Sequence, residues 1–231
     1  MAFLGLPRVP EPEVMDDSAE VEAYASAAAQ AHLDAIDNTF VEHALRLVVG
    51  CGRGRALDIG TGPGQIVIKL ARRLPRWSFT GVDRSPAMIA RARANLDAAG
   101  DAVGGRVEFQ VADGNRLPFP DRSFELVMCN SVLHHLAEPE KLLSEMARLA
   151  TSGGAFLLRD LRRPNRLAYP LHLRWHGRNY SGEMLRLYRD SVRAAYTAPE
   201  LERMLEASGI SGARVFRHHS THIGIERPFT L

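Results

Sequence analysis

The sequence has few of the features that anchor a chain to a membrane or cross-link it. Its two cysteines, Cys51 and Cys129, are too far apart in sequence to form a C-x-x-C redox or metal pair. No run approaches about 18 apolar residues, and residues 1–12 lack the basic start and apolar stretch of a secretory signal. We therefore expect a cytoplasmic protein with no disulfide framework, no cysteine zinc site and no membrane span.

Net charge is also small, and it names no partner by itself. The 231 residues carry a formal charge of +2 and are 45% hydrophobic and 24% charged, as in an ordinary globular protein. Basic charge is concentrated late in the chain, where residues 159–193 hold nine arginines against three acids. We expect one main domain, present as a monomer or a homodimer.

Short apolar runs alternate with helical patterns over most of the chain. Such alternation is typical of βαβ units and a parallel sheet, and the runs of strand length are 56–59, 78–82, 107–111, 124–129 and 155–159. Helices are predicted at 18–31, 39–49, 65–73, 86–99, 139–149 and 199–207. Only three residues separate two final strands, 213–217 and 221–227, so these strands must form an antiparallel hairpin.

A glycine-rich turn, D-I-G-T-G-P-G at residues 58–64, follows the first predicted strand. A strand that runs into such a turn and then a helix places backbone N–H groups and a helix N-terminus around a ligand, and glycine permits the close approach. The spacing is G-x-G-x-G, whereas the dinucleotide fingerprint is G-x-G-x-x-G. On this motif alone, a tight turn without a ligand stays open as the alternative.

Two carboxylates at later strand ends strengthen the case for a nucleoside ligand. Asp83 closes the second predicted strand, where an acidic side chain can accept hydrogen bonds from both ribose hydroxyls. Asp113 closes the third, where a carboxylate can accept from an adenine amino group. For Asp83 the alternative is a surface residue that caps the helix starting near Pro86.

The motifs, taken in order, resemble those of one family. The series L-D-I-G-T-G-x-G, V-D-x-S, A-D, L-P-F-x-D-x-S-F-E and a later G-G is similar to that of the SAM-dependent methyltransferases of the UbiE-like, "methyltransferase type 11" group. The similarity spans residues 56–160. It implies S-adenosylmethionine (SAM) as the cofactor and a three-layer, doubly wound α/β fold. Its seven-stranded, mostly parallel sheet would have the order 3-2-1-4-5-7-6, with the last strand antiparallel.

The resemblance also implies which residues line the cofactor cleft. The glycine turn would face the methionine part of SAM, Asp83 the ribose and Asp113 the adenine, with Asp58 beneath the turn. The implied cofactor-binding residues are Asp58, Gly60, Thr61, Gly62, Gly64, Asp83, Arg84, Met88, Asp113, Gly114, Asn130 and Ser131.

His135 and Asp160 are the candidate catalytic residues. Each follows a strand at the carboxyl edge of the sheet, where open α/β sheets bind ligands. Methyl transfer from a sulfonium has a neutral leaving group, so in-line positioning of the reactants can supply much of the catalysis. A base is needed only if the nucleophile loses a proton, so a role of the His134-His135 pair in shaping the cleft remains the alternative to a general base.

We seek the acceptor-binding residues in the segment 161–196, which is longer than a simple crossover requires. We predict that this segment is a helical lid inserted after the fifth strand. Its aromatic side chains and arginines suit stacking on a ring or pairing with an anion, although they could equally pack the lid onto the body or be solvated. Residues 1–50 are predicted to cover the cofactor cleft, and residues 51–231 to form the SAM-binding core. The candidate substrate residues are Tyr24, Arg159, Tyr169, His172, Trp175 and Tyr180.

The function expected is methyl transfer from SAM to a nucleophilic atom of a small molecule. Two alternatives stay open: a methyltransferase acting on RNA or protein, which the basic lid favours, and a SAM-binding protein without transfer activity. The fourth predicted strand is followed by N-S-V-L, without the N/D-P-P-Y/F motif of nucleic-acid amine methyltransferases, which opposes nucleic acid as a partner. No metal is expected, because His218, His219 and His222 lack acidic partners at ligand spacing and are interpreted as solvated turn residues.

Overall fold

The computed structural model describes residues 5–11, 27–100, 103 and 105–230. Nine elements form its first half and centre: α1 (Ala27–Leu47), β1 (Gly54–Ile59), α2 (Gln65–Arg73), β2 (Trp77–Asp83), α3 (Pro86–Ala99), β3 (Val107–Val111), β4 (Phe124–Asn130), α4 (Pro139–Leu149) and β5 (Ala150–Leu161). The rest follows as α5 (Tyr169–His176), α6 (Gly182–Ala194), α7 (Ala198–Ser208), β6 (Arg214–His218) and β7 (His222–Arg227).

The seven strands form one sheet in the order β3-β2-β1-β4-β5-β7-β6. Strands β1 to β5 are parallel to one another, and β7 runs antiparallel to both β5 and β6. The predicted sheet order and terminal hairpin are confirmed. Two buried apolar clusters cover the two faces, one involving α1, α2 and α3 and the other α4 and α7, so the predicted three layers are also confirmed.

Local signals explain where two of the helices begin. Helix α3 begins after Ser85, whose hydroxyl accepts a hydrogen bond from the Met88 N–H at 3.3 Å, with Pro86 in the first turn. Helix α7 begins with a capping box: the Thr197 side chain accepts a hydrogen bond from the Glu200 N–H, and the Glu200 carboxylate accepts one from the Thr197 N–H. These caps fix where the helices start and therefore where the preceding strand ends lie.

Helix α1 is longer than predicted. The sequence pattern predicted two helices with a break between residues 31 and 39, but the structure has one continuous helix over Ala27–Leu47. The predicted cap Thr39 instead lies inside it, and its hydroxyl donates back to the Ile36 carbonyl at 2.6 Å, as hydroxyl side chains within helices do. Residues 18–26 of the first predicted helix lie outside the described residues.

Strand β5 also differs, because it begins at Ala150 and not at residue 155. Gly153 and Gly154, predicted to separate helix from strand, lie within it. A Cβ on Gly153 would come within 2.1 Å of the Thr230 carbonyl oxygen, so glycine there lets the end of the chain pack against the strand. None of the helices that the structure describes is long and apolar enough to cross a lipid bilayer.

Candidate functional site

A cavity of about 810 Å³ opens at the carboxyl edge of the sheet, above β1, β2 and β4. Its floor is the glycine turn, held to β2 by hydrogen bonds from the Gly60 and Thr61 N–H groups to the Val82 carbonyl at 2.8 and 2.9 Å. Gly60 has a φ of 73°, and a Cβ there would lie 2.2 Å from a methyl of Val132. Glycine is therefore required for both the backbone conformation and the contact with the loop after β4.

Gly62 plays a different part in the same turn. It has a φ of 51°, lines the cavity, and has no heavy atom within 4 Å of where its Cβ would be. Open space thus reaches the backbone, as a ligand in close contact with the turn requires. Gly64 does not line the cavity: a Cβ there would lie 2.5 Å from the Phe109 ring, so this glycine serves close packing of the turn on β3.

Two carboxylates hold the turn from either side. Asp58 is buried below it and accepts a hydrogen bond from the Thr61 hydroxyl at 2.8 Å, and burial raises the Asp58 pKa to about 7. Asp83 accepts from the Gly62 and Ser85 N–H groups, both at 2.9 Å, which orients its carboxylate at the cavity wall. Each Asp83 oxygen keeps a further lone pair, so both can still accept from a diol.

The far end of the cavity holds a buried acceptor that sequence reasoning missed. Asn115 Oδ1 is buried and has no hydrogen-bond partner among the described residues, although Asn115 lines the cavity. The neighbouring Asp113 is exposed and accepts the Asn115 N–H at 3.0 Å. A buried acceptor without a partner is costly, and a ligand N–H such as that of an adenine amino group would satisfy it.

The cavity therefore fits a nucleoside-bearing cofactor: a turn open to close approach, a carboxylate at the ribose position and an unsatisfied acceptor beyond it. Of the twelve sequence-predicted cofactor residues, Gly64 alone does not line it. The eleven that do are Asp58, Gly60, Thr61, Gly62, Asp83, Arg84, Met88, Asp113, Gly114, Asn130 and Ser131.

A histidine–carboxylate pair adjoins this cleft, and its histidine, His134, is on the cavity wall. His134 Nδ1 donates to Asp160 Oδ1 at 2.6 Å, and the His134 N–H donates to Asp160 Oδ2 at 3.0 Å. Burial alone would lower the His134 pKa, but the Asp160 carboxylate outweighs it and leaves the pKa raised. Burial alone would raise the Asp160 pKa, but His134 and two backbone N–H groups hold it below its usual value.

His135 and Glu11 complete this group. His135 Nδ1 lies 3.5 Å from Glu11 Oε2, and burial followed by repulsion from His134 lowers the His135 pKa to about 3. One potential metal-ligand atom from each of Glu11, His134 and His135 lies within 4.8 Å of the other two. The structure thus pairs Asp160 with His134, the neighbour of the predicted His135, and leaves His135 as a neutral imidazole on the cleft wall.

Among the predicted substrate residues, Tyr180 lines the cavity. Arg159, Tyr169, His172 and Trp175 are not on its wall, and Tyr24 lies outside the described residues. Arg159 is fully buried and donates to Asn130 Oδ1, the Thr39 hydroxyl and the Ile36 carbonyl, so it joins α1 to the sheet. Its guanidinium also lies 4.9 Å from the Phe40 ring centroid.

Four further histidines line the cleft from sequence-distant elements: His176, His218, His219 and His222. The interpretation of the last three as solvated turn residues is wrong for His222, which is buried in β7 and whose pKa falls to about 3 because of burial and the nearby Arg159. It is also wrong for His218, which is half-buried at the end of β6, whereas His219 is exposed in the turn. Apolar and aromatic side chains line the same cavity: Leu136, Leu161, Met184, Leu187 and Tyr188. We call this part of the cavity the acceptor end.

Comparison with known proteins agrees with this cleft. A family model described as a methyltransferase domain matches residues 57–158. A demethylmenaquinone methyltransferase of Thermus thermophilus is 33% identical over 168 residues, which are 68% of this chain and 74% of that relative. A phosphatidylethanolamine N-methyltransferase of Cereibacter sphaeroides is 35% identical over 106 residues, 46% of this chain and 49% of that relative. The solved structure of a SAM-dependent methyltransferase from Aquifex aeolicus matches with a TM-score of 0.66, covering 93% of this chain and 99% of that one at 19% identity.

Fold, cleft and relatives together define a methyltransferase of the SAM-dependent class. The chain belongs to the class I SAM-dependent methyltransferases, in the UbiE-like group with a methyltransferase type 11 domain. Its cofactor is SAM, and its activity is that of a SAM-dependent methyltransferase. The chain spans 74% of the Thermus relative but about half the length of the other curated relatives it matches.

Proposed function

We propose that the chain transfers the methyl group of SAM to a ring carbon of a small, apolar hydroquinone. In this reaction the ring carbon beside a hydroxyl attacks the methyl in line with the sulfonium sulfur, and the cofactor leaves as a neutral thioether. The hydroxyl proton and then the ring proton are lost, one proton returns to the oxygen, and one proton is released overall. The reduced form is the acceptor because an electron-poor quinone ring is not a nucleophile.

The His134–Asp160 pair is the observation that carries this proposal. Because an ionised carboxylate only accepts hydrogen bonds, Asp160 fixes the proton of His134 on Nδ1 and leaves the Nε2 lone pair free to take another. His134 lies on the wall of the cleft, and its raised pKa suits it to receive a proton near neutral pH. A phenolic acceptor needs such a base, since removal of its proton makes the ring carbon nucleophilic.

The remaining side chains of the acceptor end favour an uncharged ring. Leu136, Leu161, Met184 and Leu187 supply apolar contact, and Tyr180 and Tyr188 supply aromatic faces. Burial raises the Tyr180 pKa to about 12, so its hydroxyl stays neutral and can donate a hydrogen bond to an acceptor oxygen. The names of several relatives, demethylmenaquinone methyltransferase among them, support the same acceptor class.

A phospholipid amine, suggested by the name of the Cereibacter relative, is less well supported. Its phosphate would need cationic partners close to the transferred methyl. Among the described residues that line the cavity, the cationic side chains other than histidine are Arg84 and Arg91, and both follow β2 on the cofactor side. The acceptor end itself offers imidazoles, and burial lowers the pKa of two of them, to about 4 for His218 and about 3 for His222, so both are neutral.

The test is an incubation of the purified chain with SAM carrying a deuterated methyl group and a short-chain demethylmenaquinol kept reduced. We expect a product in which one ring hydrogen is replaced by the labelled methyl, detected by mass spectrometry and located by NMR. Phosphatidylethanolamine, an RNA pool and a protein extract are run in parallel as competing acceptors. Transfer to one of these with none to the quinol, or SAM binding with no transfer to any of them, would overturn the proposal.

A further inference from the structure

Large apolar side chains are exposed along one edge of the lid. Leu167, Leu171 and Trp175 have 71%, 67% and 58% of their surface exposed. They are spaced four residues apart, with Leu171 and Trp175 one turn apart on α5 and Leu167 in the turn before it. Three exposed apolar residues at this spacing form a contiguous row, which is unlike the single exposed apolar residues scattered over most protein surfaces.

The exposure of this row is fixed by the packing of the helix. A different side of α5, which faces α6, carries His172, which is buried and whose Nε2 lies 3.0 Å from the Tyr188 hydroxyl. The two rings are stacked with an interplanar angle of 10°. Because α5 is held by this inner side, the apolar row is directed outwards and has no cover within the part of the chain that the structure describes.

Positive charge surrounds the row. Residues 161–182 contain five arginines and no acidic residue. Two of the arginines have partners in the body: Arg162 donates to the Ser220 carbonyl, and Arg163 pairs with Glu200. The other three, Arg166, Arg174 and Arg178, are exposed and form no ion pair with any described residue.

We call the three apolar residues and the three exposed arginines the outer band. Arg178 lies over the Trp175 ring, with its guanidinium carbon 4.4 Å from the ring centroid, so apolar and cationic groups share one surface. The band adjoins the cleft along the chain, since His176 directly follows Trp175 and Tyr180 is two residues after Arg178, and both His176 and Tyr180 line the cavity. A ligand held in a surface that contacts the band would therefore lie near residues of the cleft.

We propose that the outer band docks this protein onto an anionic phospholipid surface. Leucine and tryptophan side chains enter the boundary between headgroups and acyl chains, while arginines pair with anionic headgroups, as in helices that lie in the membrane interface. If the proposed hydroquinone is a lipid, it would enter the cleft from the bilayer. Only this route of entry rests on the proposed function, whereas docking itself does not. Docking is measured without methyl transfer, so each idea can fail separately.

Charge decides between this partner and a second copy of the chain. A two-fold symmetric interface would place the band against itself, so its arginines would face arginines across the contact. A surface rich in anionic headgroups complements the same charges. Each basic residue near such a surface strengthens binding by about fivefold, and the apolar row adds to it.

The two tryptophans of the chain provide a direct signal. Trp77 is 1% exposed within the core, whereas Trp175 is in the band. Phosphatidylcholine vesicles with and without phosphatidylglycerol are mixed with the full chain in low salt, and binding is followed by co-sedimentation. We expect binding to the anionic vesicles, a blue shift of tryptophan emission, and quenching by brominated acyl chains. In Trp175→Phe the shift and the quenching should disappear.

Substitutions in the outer band test whether its residues form the surface that binds vesicles. Arg166→Gln, Arg174→Gln and Arg178→Gln combined should weaken binding roughly a hundredfold, and Leu167→Ser with Leu171→Ser should weaken it by at least about tenfold. The matched control replaces three exposed arginines elsewhere on the surface, Arg72, Arg76 and Arg203, with glutamine, and Val49→Ser controls for an exposed apolar residue. SAM affinity, measured by calorimetry, should be unchanged in all of them, which shows that they are folded.

The proposal is overturned if the wild type does not sediment with anionic vesicles, or if it binds neutral vesicles equally well. It is also overturned if the control set lowers binding as much as the band set. Self-association through the band without vesicles, or preference for RNA over vesicles in competition, would assign the surface to another partner and overturn it as well.

Discussion

Asp160→Asn should abolish most of the turnover while leaving SAM binding intact. The carboxylate accepts three hydrogen bonds: from His134 Nδ1 at 2.6 Å, the His134 N–H at 3.0 Å and the Leu161 N–H at 2.6 Å. An asparagine has one oxygen and one NH₂ for these donors. If its NH₂ faces the ring, the proton of His134 must move to Nε2, and the base is lost from the cleft.

The expected loss follows from the contribution of a positioned general base. Such a base supplies about 10²- to 10⁴-fold in rate, so we expect kcat to fall about 10³-fold, or about 4 kcal/mol in activation free energy. The variant also leaves one buried donor without an acceptor, at a cost of about 1–3 kcal/mol in unfolding free energy. Single-turnover assays with the reduced acceptor measure the first, and urea denaturation the second.

The matched control is Glu226→Gln. Glu226 is a buried carboxylate on the adjacent strand β7 and also pairs with a histidine, His43, but neither residue lines the cleft. We expect a similar loss of stability and no loss of turnover. Turnover of Asp160→Asn within about threefold of wild type, or an equal loss in the control, would refute the role of the pair in catalysis.

The pH profile gives a second readout of the same reasoning. A base must be neutral to accept a proton, and Asp160 raises the His134 pKa above its ordinary value near 6.5. Wild-type kcat should therefore rise with pH through an inflection above 6.5, and in Asp160→Asn the inflection should move lower. Adding EDTA should change nothing; loss of activity with EDTA would mean that Glu11, His134 and His135 hold a cation and do not transfer a proton.

Four further predictions concern the cofactor cleft and its support. Asp83→Ala should weaken SAM binding by at least about tenfold in calorimetry, because the ribose hydroxyls lose a charged acceptor; unchanged affinity would contradict the cofactor placement. Gly62→Ala and Gly100→Ala both place an alanine at positive φ with nothing within 4 Å, so each should cost about 1–2 kcal/mol in stability, but only the first should lose SAM affinity. Asn115→Ala should weaken SAM binding without lowering the melting temperature, because it removes an unsatisfied buried acceptor. Arg159→Met should lower unfolding free energy by about 1–3 kcal/mol in denaturant titration, since three partly buried acceptors lose their donor.

Local signals in the sequence were sufficient for the core of the fold. Helices α2, α3 and α4 have the predicted bounds because clear start signals precede them: Gly64 in a left-handed conformation before α2, and a proline in the first turn of α3 and α4. The break predicted in α1 was wrong because Thr39, which is a plausible cap by type, is held inside a helix that packs on the sheet. The start of β5 was missed because Gly153 resembles a helix stop, whereas its small size serves the close approach of Thr230.

The site likewise contains residues that the sequence predicted and residues that it did not. The cofactor side comes from motifs that follow consecutive strands, so their positions in sequence predicted that they would meet at one edge. Asn115 was missed although it follows Asp113 and Gly114, because an amide there has no distinctive spacing. Glu11, His176 and His222 line the same cavity although they come from the N-terminal segment 5–11, the lid and the terminal hairpin, and no local pattern in the sequence encodes that proximity.

The terminal hairpin has a consequence for how acceptor preference can change. Because β7 inserts between β5 and β6, the bend between the last two strands brings His218 and His222 to the acceptor end, remote from every cofactor motif. Substitutions at residues 218–222, or at 176–191 in the lid, can therefore reshape the acceptor pocket while the SAM site keeps its sequence. A mutant library confined to these two stretches would vary the molecule that is methylated and hold the methyl donor constant.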